Sequence, residues 1–449
     1  MKFLQLYFLM LLFGPSLNAQ YKLTPEQDSI LKEIRKLTAA DYQSMLDQLD
    51  IDSVRQGANG MDLEAPNAAN YDESLANPYP DYPDPLKFNN GDTVKDAKEW
   101  WKLRRPEIAA AFEREIYGKL PVSQLEVEWK LVEEVKETKG AFQVFTKRLL
   151  GTVDNSIYAD IKVDIELEIT IPANAMGAVP LILQFGFKWP PWFNFPERPD
   201  FIPEWQLQLL TKGWGYAIIQ AGSIQADNGA GLREGVIGLH NRGLERKPED
   251  WGALRAWAWG AGKAMEYFVA DEAIDERKIG ITGHSRYGKA AVVAMAFDER
   301  FAIGYISSSG AGGVKPHRRN FGEIVENVAG SGEYHWMAGN YIKYAGPLGW
   351  DDLPVDSHEL LALCAPRPVF VGAGDKGDEW VDQYGMFIAC VKAGKVYELL
   401  DKRGLESEVY PDLDVDLIGG GIGFRRHSGG HTPGPNWEAF ITFASRYFD

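Results

Sequence analysis

The chain holds only two cysteines in 449 residues, Cys364 in "LALCAPR" and Cys390 in "FIACVKA". Both lie in apolar surroundings and neither has metal-ligand spacing, so a disulfide framework and a cysteine metal centre are excluded. Two buried thiols, or at most one disulfide, remain, and stability has to come from a core. Positive charge is also scarce. Lys and Arg number 47 against 64 Asp and Glu, for a formal net charge of −17. That balance speaks against nucleic-acid binding, which needs a basic surface, but it permits a local positive pocket. Beyond Phe13 there is no apolar run long enough to cross a membrane. There are no internal repeats and no low-complexity tract.

What is present is ordinary globular composition, 45% hydrophobic and 25% charged, ample for a core. The start, "MKFLQLYFLMLLFGPSLNAQ", has a positive residue, an apolar run from Phe3 to Phe13 and a small-residue exit. This is the layout of a signal peptide over 1–19, cleaved after Ala19, and it implies a secreted or periplasmic protein with no stable membrane insertion after cleavage. The run is short for the alternative, a membrane anchor. Residues 20–85 read as a charged helical extension followed by a linker crowded with Pro, Asn, Asp and Tyr. The main domain is expected over 86–449.

Within that domain "DAKEWWKLRRPEIAAAFEREIYG" reads as a helix broken or restarted at Pro106. Three alternating stretches, "LEVEWKLVEEV", "FQVFTKRLL" and "IKVDIELEITIPA", read as half-exposed antiparallel strands. Apolar runs then alternate with helical periodicity: "VPLILQFGF", "WGYAIIQAG", "WGALRAWAWGAGKAMEYF", "KIGITGH", "RYGKAAVVAMAF", "AIGYISSSG", "PRPVFVGAG" and a last helix in "NWEAFITFASRYF". Buried strands alternating with helices make the fold class α/β, with a mostly parallel sheet covered on both faces.

Ser285 stands where the strand "KIGITGH" meets the helix "RYGKAAVVAMAF". An α/β-hydrolase nucleophile occupies such a turn, which exposes the hydroxyl and aims helix N–H groups at developing negative charge. The pattern here is G-x-S-x-x-G, with Tyr287 where the usual G-x-S-x-G has its second glycine. A helix N-cap is therefore the rival reading of Ser285. Arg286 can bring a guanidinium to an oxyanion and Lys289 faces the same cleft one turn on, unless both simply line a solvated helix face.

The segment "TGHSRYGKAA" resembles the nucleophile motif of the glucuronoyl esterases, carbohydrate esterase family fifteen. The likeness runs in order through "DPLKFNNGDTVKDAKEWWKLRRPEIAAAFEREIYGKLP", "EDWGALRAWAWG", "FDERFA", "SSGAGG", "RRNFGE", "YHWM", "LPVDSHELLALCAPRPVFV" and "HSGGHTPGPNW". The resemblance implies a three-layer αβα hydrolase, a serine esterase cleaving the ester between (4-O-methyl-)glucuronic acid on xylan and a lignin alcohol. It implies no metal and no cofactor. By matching motif, Ser285 is the nucleophile, Arg286 the oxyanion arginine and His431 the base. Lys289 and Glu323 bind uronate hydroxyls, and Trp336 lies near the substrate.

His427 also qualifies as base by position, although a loop histidine in water is the plainer reading for it. His284, His317 and His358 lie elsewhere, His358 as a structural hydrogen bonder. For the acid the chain departs from its relatives: where many carry a glutamate before "SG-x-GG", this sequence has Ser308. The loop "DKGDEWVDQYG" offers Asp375, Asp378, Glu379 and Asp382. The family that the chain resembles has an aspartate two before a tryptophan in this loop, and the resemblance thereby implies Asp378, before Trp380, with Asp375 as the alternative acid. A histidine without its acid loses tautomer and orientation. Trp189, Trp192, Phe193 and Phe195 form an aromatic loop that can stack on rings or pack beneath. That loop follows "VPLILQFGF", and in this fold such a loop supplies the second oxyanion donor. Arg425 and Arg426 are candidates for acidic sugars or plain surface charge. The expected partner is glucuronoxylan or a lignin–carbohydrate ester, and the expected state a monomer. Esters such as acetylated xylan, or a binding protein without catalysis, are the competing readings.

Overall fold

The computed structural model describes residues 23–121, 125–188 and 201–448. The expected signal peptide and the aromatics Trp189, Trp192, Phe193 and Phe195 lie outside these residues. Among the described residues, nine strands form one sheet in the order β1-β2-β3-β5-β4-β6-β7-β8-β9. The three alternating stretches are β1 (Val127–Lys139), β2 (Phe142–Val153) and β3 (Asp164–Pro172), an antiparallel meander. Arg148 on β2 sits between Glu133 of β1 and Glu168 of β3, an exposed ladder of opposite charges that suits neighbouring strands.

The apolar runs form β4 (Val179–Gly186), β5 (Gly215–Gln220), β6 (Ile274–His284), β7 (Ile303–Ser307) and β8 (Val369–Ala373). These pair in parallel with a further strand, β9 (Ile422–Arg426), on the edge. β9 is five residues of "IGFRR", too short and too polar to announce itself, and it becomes a strand only by pairing with β8.

Among the described residues, the helices of eight residues or more are α1 (Pro25–Gln48), α2 (Arg105–Phe112), α3 (Glu204–Thr211), α4 (Ala253–Ala270), α5 (Arg286–Phe297), α6 (Ser357–Cys364), α7 (Gln383–Leu399) and α8 (Trp437–Phe448). The strands' two-residue period splits the core between two faces. Leu181, Leu183, Ile279, Ile281, Val369 and Val371 face the cluster that includes α4, α5, α6 and α7. Ile182, Ile303, Tyr305 and Phe370 face α3 and α8, where Trp205 stacks on Trp437 at 4.9 Å. This is a three-layer αβα hydrolase architecture.

Pro106 does not break its helix. Helical backbone runs from Ala97 to Tyr117 and widens into π turns at Trp100–Arg104 and Glu113–Tyr117. The first of these lies just ahead of the proline, where a ring would otherwise collide with the carbonyl of the preceding turn.

Residues 25–85 pack on the rest of the chain along their length. Tyr42, Met45, Leu46 and Ile51 belong to the main core cluster. Arg55 donates to the carbonyls of Tyr344, Gly346 and Leu348. Farther on, Asn70 bonds Asn320 and the Pro83 carbonyl meets His358.

β4 is flanked by β5 on one side and β6 on the other, so the strand order reverses there. The crevice beyond the carboxyl ends of such strands is where open α/β sheets bind ligands. Ser285 follows the carboxyl end of β6, Asp378 that of β8 and His431 that of β9, so all three lie at this edge of the sheet.

Met45, 2% exposed, presses its sulfur against Gly339. Met45→Ala should cost about 2–5 kcal/mol of stability, read as a lowered denaturant midpoint. An unchanged midpoint would mean that α1 is not docked in solution.

Candidate active site

Ser285 occupies the turn between β6 and α5 with φ 58° and ψ −128°. A serine held at positive φ is strained, a cost met where the turn must present a side chain. Its hydroxyl makes no bond to the helix N–H groups, so the N-cap alternative is not realised. The backbone is clamped instead: Ser285 N–H donates to the Ser307 carbonyl at 2.9 Å, and its carbonyl accepts from Lys289 N–H at 3.1 Å. The unusual glycine spacing has a steric reason. A Cβ on Gly283 would lie 2.0 Å from the Tyr287 carbonyl oxygen, and one on Gly288 2.6 Å from that of Ser307. The second glycine is thus needed where α5 crosses the end of β7. Tyr287 packs its ring against Trp257 and Phe185, at 5.3 and 6.4 Å.

The imidazole comes from the other end of the chain. His431 follows β9, and its ring centroid lies 4.3 Å from that of His284, the residue just before Ser285. His431 Nδ1 is 2.5 Å from Asp378 Oδ1, so Nε2 is the nitrogen left for a hydroxyl. Asp378, fully buried on the loop after β8, also accepts from Gly374 N–H at 2.6 Å and from Ser308 Oγ at 2.7 Å. Burial alone would raise its pKa. The bonds from His431, Ser308 and Gly374 outweigh burial and hold the carboxyl below the ordinary range. Ser308, which stands in the place of a glutamate, carries no charge to the imidazole but donates a hydrogen bond to the acid that does.

The other acids of this loop are engaged elsewhere. Asp375 pairs with Arg426 Nη1 at 3.2 Å, and Glu379 accepts from Gly377 N–H. Asp382 caps α7 and pairs with Arg319. The structure therefore brings Asp378, not Asp375, to His431. His427 is not a histidine in water: it is 1% exposed, with Nε2 on the Thr432 carbonyl and Nδ1 accepting from Gly429 N–H. It shapes the loop that presents His431. Arg425 and Arg426 are likewise not free for acidic sugars. Arg425 pairs with Asp414 and Asp416, and Arg426 with Asp375.

On the opposite side of the elbow lies a compact charged group. Lys289 Nζ donates to Glu323 Oε2 at 2.8 Å and to the Ala311 carbonyl at 2.6 Å, and Glu323 also accepts Ala311 N–H. Trp336 is as buried as this pair, 2% exposed against 3% for each of Lys289 and Glu323, and its indole N–H is taken by Asp227. Its indole carries the guanidinium of Arg286 at 5.3 Å and the ammonium of Lys289 at 5.6 Å. Burial, reinforced by the charge of Glu323, pushes the nearby Glu333 carboxyl up to about 8.

Two residues here escaped the sequence reading. Asp227 accepts from Arg286 Nη1 at 2.7 Å, His335 Nε2 at 2.9 Å and Trp336 Nε1 at 2.6 Å. It lies in the irregular stretch "QADNGAG", which carries no motif. His284 was set aside as lying elsewhere, yet it packs on His431, with Nδ1 3.0 Å from Ser307 Oγ. Its adjacency to Ser285 was the available signal. The loop after β4, expected to supply a second oxyanion donor, runs into residues outside those described. Among the described residues, no group of three or more His, Cys, Asp and Glu side chains is placed to hold a metal ion.

Burial, then the neighbouring His431, push the His284 imidazole down to about 3. The unfolded chain takes up that proton near pH ~6.5, whereas the native state refuses it until pH falls to about 3. Stability should therefore fall as pH drops below ~6.5, by up to about 1.4 kcal/mol per pH unit from this residue. His284→Asn should flatten that slope, although His358, pushed down to about 4 by burial, keeps part of it. Denaturant midpoints between pH ~7.5 and ~5 read the effect, and parallel slopes for the two proteins would refute it.

Comparison with known proteins identifies the family. The family model described as glucuronyl esterase, fungi, matches residues 238–401. Carbohydrate esterase MZ0003, from an unknown prokaryotic organism, is 32% identical over 413 residues, covering 85% of this chain and 93% of that protein. Among solved structures, a CE15 glucuronoyl esterase from Teredinibacter turnerae T7901 superposes with a TM-score of 0.86 at 42% identity, covering 92% of this chain and 100% of its own. The glucuronoyl esterase from Solibacter usitatus gives 0.75 at 32% identity, over 83% and 99%. With its elbow, its imidazole and this extent of shared sequence, the chain belongs to carbohydrate esterase family 15, the glucuronoyl esterases, and is a carboxylic ester hydrolase.

Proposed function

We propose that this protein is exported and hydrolyses the ester between (4-O-methyl-)glucuronic acid on xylan and an alcohol of lignin, with Ser285, His431 and Asp378 as its triad. The observation that carries the reading is the 2.5 Å contact between His431 and Asp378, with the imidazole packed beside the residue that precedes Ser285. Export rests on the N-terminal apolar stretch; no described helix is long and apolar enough to cross a membrane.

His431 Nε2 takes the Ser285 proton as Oγ attacks the ester carbonyl. The carbonyl oxygen becomes an oxyanion, met by the Arg286 guanidinium and by its backbone N–H at the start of α5. The tetrahedral adduct collapses, the alcohol oxygen leaves with the proton from His431, and a glucuronoyl ester of Ser285 remains. Water then gives a proton to His431 and attacks that ester. Its collapse returns the proton to Ser285 and releases glucuronic acid. Asp378 keeps Nδ1 protonated and stabilises the imidazolium at each transfer. Lys289 has an ammonium N–H left after its bonds to Glu323 and Ala311, and with Glu323 Oε1 it binds the sugar hydroxyls. The 4-O-methyl-glucuronoyl methylesterase of Schizophyllum commune, 26% identical over 332 residues, supports the substrate class.

Ser285→Ala should abolish saponification of methyl or benzyl glucuronate, and Asp378→Asn should lower kcat by about 10⁴. Full turnover in Ser285→Ala would exclude the mechanism. Hydrolysis confined to acetylated xylan would remove the uronate from it. A fluorophosphonate should label the wild type at Ser285 alone.

A further inference from the structure

Arg286 is built into the molecule in an unusual way for a residue that has to meet a transient charge. One of its terminal nitrogens is already occupied, donating to Asp227 Oδ2 at 2.7 Å. The other carboxylate oxygen of Asp227 is occupied twice, by His335 Nε2 at 2.9 Å and Trp336 Nε1 at 2.6 Å. Trp336 closes the circuit by lying beneath the guanidinium itself. His335 and Trp336 belong to one short 3₁₀ turn, Tyr334–Trp336, and Trp336 is pinned from behind, where a Cβ on Gly252 would meet its carbonyl oxygen at 2.3 Å. The Asp227 carboxylate thus sits in a rigid cradle of two donors, His335 and Trp336, and passes that rigidity to the Arg286 side chain with its four rotatable bonds. Burial works against both charges, and each partner overcomes it: the Asp227 carboxyl is held well below the ordinary range and the Arg286 guanidinium above its own.

We propose that Asp227 is the positioning residue of the oxyanion arginine. By holding Nη1 it aims the remaining guanidinium N–H groups at the ester's developing oxyanion, and it denies the released uronate a two-toothed grip on that edge. The inference rests on Arg286 being the oxyanion donor.

The second half follows from the chemistry of the product. Hydrolysis turns a neutral ester into a carboxylate, and an unencumbered arginine binds carboxylates through two parallel N–H···O bonds. A site that binds its product in this way slows release, whereas one whose donors point only at the position of the oxyanion favours the transition state. Across Arg286, Asp227, Lys289 and Glu323 the formal charges cancel, so no excess positive charge holds the acid product.

Asp227→Asn keeps the shape and an acceptor for Trp336 but turns the Arg286 contact into donor against donor. It should lower kcat for methyl glucuronate about 10–100-fold, less than the loss of a whole oxyanion donor, with little change in KM. It should also tighten inhibition by glucuronic acid about threefold or more, because the freed guanidinium can fork onto it. A merely structural role would not strengthen product binding. Asp227→Glu should recover part of kcat.

In an Arg286→Ala background, Asp227→Asn should change neither kcat nor product inhibition further. If Arg286→Ala turns over like wild type, the oxyanion assignment fails, and the proposal with it. If Arg286→Ala is impaired but Asp227→Asn matches wild type, or the two losses multiply, the oxyanion assignment stands and the role of Asp227 is refuted. Should Asp227→Asn not fold, Trp336→Phe removes one of the cradle's donors while leaving a ring under the cation. A smaller drop in kcat with tighter product inhibition is then expected, and an unchanged inhibition constant refutes the proposal.

Discussion

One buried carboxylate joins the parts of this molecule that must meet. Asp378 accepts from the end of β7 through Ser308, from the end of β8 through Gly374, and from the loop after β9 through His431. Removed from water, a carboxylate is tolerable only when its acceptor sites are filled. The loops after three neighbouring strands are therefore drawn to a common point, and the imidazole arrives beside the Ser285 elbow. Ser308 shows how this works without a second acid. A glutamate at the end of β7 would bring another negative charge to the imidazole. A serine brings a donor, and so supports a charge located on the next strand.

The same rule, that no charge is buried alone, organises the substrate side. In a protein of net charge −17, the site holds two cations, Arg286 and Lys289, each paired with its own carboxylate, Asp227 and Glu323. Pairing at such burial is poor evidence of stabilisation, because desolvation offsets most of the attraction. Its value here is directional. The pairs fix which N–H groups stay free, and both cations rest on one indole, Trp336. An indole so placed is a floor for the cations.

How far the sequence could be read follows from the range of each signal. The parallel strands, the main helices and the Ser285 turn were legible because apolar runs, helical period and a glycine-flanked serine are local patterns. The loop of Asp378 was legible as one rich in acids, and the choice among them came from the family pattern that its Asp378 and Trp380 match. β9 was not, because five residues bearing two arginines become a strand only against β8. Asp227 was not, since nothing near it in sequence reveals that Arg286, His335 and Trp336 converge on it from two distant segments. His284 was misjudged for the opposite reason: its neighbour was read as a nucleophile while its own contacts depend on a loop near the other end of the chain.

The segment between α1 and the sheet shows the same long-range dependence. It was read as a linker, but it is built into the walls of the site. A Cβ on Gly60 would lie 2.5 Å from the Trp380 ring, and one on Gly322 2.3 Å from the Trp380 carbonyl oxygen, which accepts Glu323 N–H at 2.8 Å. The loop that carries Asp378 is thus wedged between residue 60 and the loop that carries Glu323. Arg319 ties the arrangement together, fully buried between Asp382 on one side and Glu73 on the other. Because Asp378, Trp380 and Asp382 lie on one short stretch, a shift of the early segment would move the acid relative to His431. Catalytic geometry held to within a fraction of an ångström needs such outer support. The proline-rich, tyrosine-rich run that looks least structured in the sequence therefore braces the position of the acid.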